Sequence, residues 1–102
     1  MNTIPMSNVR AFYASAVPDG HWFSPSAMRF FKCRLPRVAY KGKTGAYFVT
    51  SEEGFDNDRR YSVRFQDAKT GLIETVGEFH SYLSREAAVA AIRELLASES
   101  TV

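Results

Sequence analysis

Cys33 is the only cysteine of the chain, and His21 and His80 are its only histidines. These residue types serve nucleophilic catalysis and transition-metal binding. Structural zinc sites take their ligands in closely spaced pairs, and these three residues stand far apart in the sequence. A cysteine nucleophile needs a base and an orienting group beside it. A cysteine near the end of an apolar helix is instead a small packing residue. Asp56 and Asp58 flank Asn57 and suggest an oxygen-ligand loop, but the calcium-loop order D-x-[DN]-x-[DN]-G is absent. KGKTG, residues 41–45, has the composition of a phosphate loop without its spacing or its following helix. We therefore expect no enzyme, no metal and no cofactor.

Two stretches carry binding chemistry instead. From Arg29 to Lys43 there are six basic residues and no acidic one: Arg29, Lys32, Arg34, Arg37, Lys41 and Lys43. Phe30, Phe31 and Tyr40 are interleaved with them. Basic groups neutralise phosphates and aromatic rings stack on bases, so this segment is the nucleic-acid candidate. The second stretch is EEGFDND, where Phe55 stands among Glu52, Glu53, Asp56 and Asp58. An aromatic in an acidic setting suits anchoring a protein partner. The charge is split along the chain. Residues 1–50 carry seven basic and one acidic residue, and residues 51–102 carry six basic and ten acidic ones, giving +2 in total.

The elements that must hold these residues are legible in part. Ser24-Pro25 is a helix start, with Ser as cap and Pro at the first helical position, and the helix is expected to run to about Cys33. Pro36 ends it. Residues 37–40 and 46–51 read as strands around the KGKTG turn. Residues 60–66 alternate, with Tyr61, Val63 and Phe65 on one side and Arg60, Ser62, Arg64 and Gln66 on the other. DAKTG turns the chain, with Gly71 in the left-handed position, and 72–79 is the return strand. If Gln66 pairs with Leu72, Arg64 faces Glu74 and Arg60 faces Glu78 in a solvent-exposed ladder of opposite charges. Ser84 caps a last helix whose buried stripe is Ala88, Ala91, Ile92, Leu95 and Leu96. Residues 1–23 are expected to be a partly mobile N-terminal segment in which 9–14 is either a strand or a helical turn. Residues 24–97 form a single α+β domain, and 98–102 fray. The expected architecture is α-β-β-β-β-α. It is an antiparallel meander of three to four strands with a short N-terminal helix, and a C-terminal helix packed on one face.

From Arg60 to about Leu95, the run RYSVRFQDAKTG, ETVGEF and REAAVAAIREL resembles the three-stranded sheet plus helix of AP2-type DNA-binding domains and of phage-integrase arm-binding domains. Asp67, Gly71, Gly77, Phe79, Ala87 and Ala88 carry that resemblance. It implies DNA reading by the solvent face of the sheet, but the expected ladder places Glu74 and Glu78 where phosphates must come. The stretches SPSAMRFF, YFVTSEE and VGEF are similar to those of small accessory proteins encoded by phages and plasmids, which implies an accessory role in a mobile element.

The expectation is a non-catalytic, cytoplasmic binding protein of a mobile genetic element that contacts nucleic acid through the basic segment. The alternative is an inhibitor that binds a host defence complex, of the anti-restriction or anti-CRISPR kind. The lone cysteine allows no internal disulfide, and no stretch of the sequence has the apolar length of a membrane span.

Overall fold

A computed structural model describes residues 1–20, 23, 25–30, 32–53 and 58–100. The elements in chain order are β1 (Thr3–Pro5), α1 (Met6–Ala16), α2 (Pro25–Phe30), β2 (Val38–Lys41), β3 (Gly45–Glu53), β4 (Arg59–Asp67), β5 (Ile73–Val76) and α3 (Arg85–Ser100). The strands form one sheet in the order β1-β2-β3-β4-β5, with every neighbouring pair antiparallel. The expected meander is present as β2 to β5, and the chain is a single α+β domain.

The N-terminal segment extends that meander. β1 pairs Ile4 with Ala39 and adds a fifth strand. α1 follows at once because Met6, Val9 and Tyr13 recur at helical spacing and all three are buried. Residues 9–14 are thus helix, not strand. α2 is shorter than expected. It stops at Phe30, Lys32 adopts a left-handed φ of 48°, and the Cys33 N–H closes the turn on the Met28 carbonyl at 2.8 Å. The last helix extends to Ser100. It starts as expected, with Ser84 Oγ accepting the Ala87 N–H at 3.1 Å.

Register parity gives the sheet two different faces. Tyr47, Val49 and Val63 pack with Ala88 and Ile92 of α3, joined by Tyr61, Phe65 and Val76. On the opposite face Ala39, Ala46, Phe48 and Ile73 pack with Met6, Val9 and Tyr13 of α1. Helices therefore cover both faces, where the sequence suggested one.

The β4–β5 hairpin corrects the expected charge ladder. Gln66 pairs with Ile73 rather than Leu72, so Phe65 faces Glu74 and Arg64 faces Thr75. The cause lies in the turn. Asp67 Oδ1 accepts the N–H groups of Lys69 and Thr70 at 2.8 and 2.9 Å, while the Asp67 N–H bonds the Leu72 carbonyl at 2.9 Å. Six residues, 67–72, separate the paired Gln66 and Ile73, one more than the DAKTG reading assumed. A shift of one residue exchanges the faces of a strand: Ile73 enters the α1 core and Leu72 is exposed. Those N–H bonds, Thr70 before Lys69, also hold the Asp67 carboxyl below the usual carboxylate range.

Candidate nucleic-acid interface

Half of the α1-side face is filled with polar groups. From Phe48 onward, the alternate positions are Thr50 and Glu52 on β3, and Ser62 and Arg64 on β4, all buried; Gln66, opposite Ala46, instead donates to the Val9 carbonyl of α1 at 3.0 Å. Arg64 donates from Nε to Thr50 Oγ1 at 2.9 Å and from Nη2 to Glu52 Oε1 at 3.1 Å. Its Nη1 bonds Thr75 Oγ1. The other Glu52 oxygen lies 3.0 Å from His80 Nε2. His80 has a left-handed φ of 58°, and its N–H donates to Ser62 Oγ at 2.8 Å. The Phe79 ring stacks on His80 and lies 5.1 Å from the Arg64 guanidinium carbon. Among the described residues no buried side-chain polar atom lacks a partner.

This cluster brings Cys33 and His80 to one carboxylate, a proximity that their sequence positions do not suggest. Cys33 Sγ lies 3.8 Å from Glu52 Oε1. Burial first, and then the Glu52 charge, push its thiol up to about 11. Such a thiol is protonated at neutral pH, and the thiolate is the nucleophile. Arg64 already occupies the carboxylate, and no three described metal-ligating side chains are placed to hold one ion. The cluster is chemically self-satisfied and closes this part of the sheet.

The expected binding residues do not converge on one patch. Lys32 pairs with Glu53 at 3.0 Å, and Arg59 lies 3.7 Å from the same carboxylate. Lys43 is tied to the end of α3: its N–H donates to Glu99 Oε2 at 3.0 Å and its ammonium to the Glu99 carbonyl. Tyr47 donates to Glu99 Oε1 at 3.1 Å. Burial and that hydrogen bond raise the Tyr47 phenol above its ordinary value. A side chain at Gly42 would meet the Glu99 carboxylate, so glycine lets turn and helix end meet. Arg29, Arg34, Arg37 and Lys41 are exposed.

The acidic surface changes more. Glu52 is buried under Arg64 and His80 and offers nothing to a partner. Glu53 is engaged by Lys32 and Arg59, and Asp58 lies 3.5 Å from Arg60. Phe55 and Asp56 lie outside the described residues, as does His21.

A basic groove does form, from residues that the basic-segment reading largely missed. Arg85, Val89 and Arg93 stand at i, i+4 and i+8 on α3 and so share one flank of the helix. Arg85 and Arg93 line a hollow of about 290 Å³ with Tyr40, Val89, Ala90 and Glu86. Arg85 also lines a second hollow of about 170 Å³ with Arg34, Pro36 and Tyr61. The shared Arg85 joins the two into a groove along α3. Of the basic and aromatic residues of the 29–43 segment, only Arg34 and Tyr40 line these hollows. The helical repeat of Arg85 and Arg93 was readable in the sequence. Their meeting with Arg34 was not, because it depends on the Arg34–Ser51 bridge that lays the chain beside β3.

The fold and groove define a small α+β protein with helices on both sheet faces and a basic cleft beside the C-terminal helix. The chain belongs to a family of unknown function, DUF7447, whose model matches residues 5–93. No curated protein and no solved structure matches it.

Proposed function

We propose that this protein is a non-catalytic nucleic-acid-binding protein that contacts its partner through the groove beside α3. One observation carries the reading. Arg59, Arg60 and Arg64 are committed to acidic groups, whereas Arg34, Arg85 and Arg93 have no acidic partner within ion-pair distance among the described residues and line two hollows that share Arg85. Unneutralised guanidinium groups on a shared flank suit phosphate, which they bind in a bidentate manner. A small non-catalytic binder also fits the accessory role in a mobile element that the sequence resemblance implies.

The test is fluorescence anisotropy with labelled single-stranded and duplex oligonucleotides at low salt. Binding that weakens as salt rises, and is lost in the Arg85→Glu, Arg93→Glu double variant, supports the reading. No binding of either oligonucleotide at low salt rejects it.

A further inference from the structure

Resting on that reading, we infer that the groove takes single-stranded nucleic acid in preference to duplex, with bases against Tyr40 and Tyr61 and phosphates on Arg34, Arg85 and Arg93. Each hollow pairs a tyrosine with arginines: Tyr61 lies with Arg34 and Arg85, and Tyr40 with Arg85 and Arg93. Both rings are only half-buried against the α3 core, so each keeps surface toward its hollow. Alternating aromatic and cationic groups is the arrangement that binds single strands, whose unstacked bases offer π-faces at every position.

Duplex fits the same surface poorly. Its bases are stacked inward, so the tyrosines have nothing to stack on. A duplex reader places a helix or a two-stranded ribbon in the major groove. Here α3 lies flat on the sheet, and its exposed positions include Glu86, Glu94 and three alanines, Ala87, Ala90 and Ala97. Arg85 and Arg93 are eight residues apart, about 12 Å along the helix. That is a short track suited to a few nucleotides. Glu86 lines the Tyr40 hollow with them and marks where a phosphate would be repelled.

The primary experiment needs no variant: a salt titration of the intact protein with fluorescent oligothymidylate and with a duplex of the same length. Preference for the single strand is expected, with log affinity falling against log salt at a slope of about −2, since three phosphates contribute about 0.7 each. Arg85→Gln should reduce that slope by about 0.7. Tyr40→Leu and Tyr61→Leu keep apolar bulk beside the core and remove the stacking face. Each should weaken single-strand binding by about 5-fold or more while leaving duplex binding unchanged, and Glu86→Gln should tighten it. Equal or tighter duplex binding, or leucine variants that bind the single strand as the native protein does, would overturn the single-strand inference while leaving nucleic-acid binding standing. Failure to bind either oligonucleotide would instead overturn the underlying reading.

Discussion

The two faces of the sheet solve the same burial problem with different chemistry. Under α3, Tyr47, Val49, Val63, Ala88 and Ile92 exclude water by apolar contact. On the other face α1 is too short to cover the whole surface. The remainder buries Thr50, Glu52, Ser62 and Arg64 against one another and beneath the His80 turn. Apolar packing tolerates small errors in position. A buried ion pair does not, because each charge is costly unless its partner is in place. The difference teaches that the polar half of the molecule should be the more brittle.

The largest test of that contrast is Glu52→Ala. It strands Arg64 and removes the partner of His80, and should cost about 3–5 kcal/mol in urea unfolding. A loss below about 1 kcal/mol would mean that the cluster is wetter than its 6% side-chain exposure indicates. In a double-mutant cycle with Arg64→Ala, the combined loss should fall well short of the sum. Next comes Ile92→Ala on the apolar face, expected to cost about 3 kcal/mol by leaving a cavity. If this change costs more than Glu52→Ala, the ranking of the two faces is reversed.

Glu99→Gln loosens the tie between α3 and the β2–β3 turn. It should cost about 0.5–1.5 kcal/mol, without altering oligonucleotide binding through the groove. The smallest effect belongs to Cys33 and shows only in alkali. Its folded thiol is raised from 9.0 to about 11, so the unfolded chain loses its proton first. Stability from this group is therefore complete below pH 9 and declines up to about pH 11. Cys33→Ala should flatten that part of the stability–pH curve relative to the native protein. Identical curves would show that Cys33 is more solvated than its contacts imply.

Elements set by local pattern were legible in the sequence. The Ser84 cap, the Ala88–Ile92 stripe, the alternation of Tyr61, Val63 and Phe65 and the left-handed Gly71 each depend on residues close along the chain. They appear where expected. The helical stripe of Met6, Val9 and Tyr13 was equally available but brief, and a short apolar run does not by itself distinguish helix from strand.

Only the tertiary structure decided the pairings. Arg64 looked like a solvated partner of Glu74, but the Asp67 turn puts Thr75 opposite it, and the β3–β4 pairing brings it to Glu52, twelve residues earlier. Lys32 and Lys43 looked free until Glu53 and Glu99 arrived from distant segments. The groove likewise joins Arg34 to Arg85 across the sheet. Composition and periodicity determine which residues want burial and in what local shape. They do not determine which charges meet, because charges pair through space and the distances are set by register and by the path of the loops.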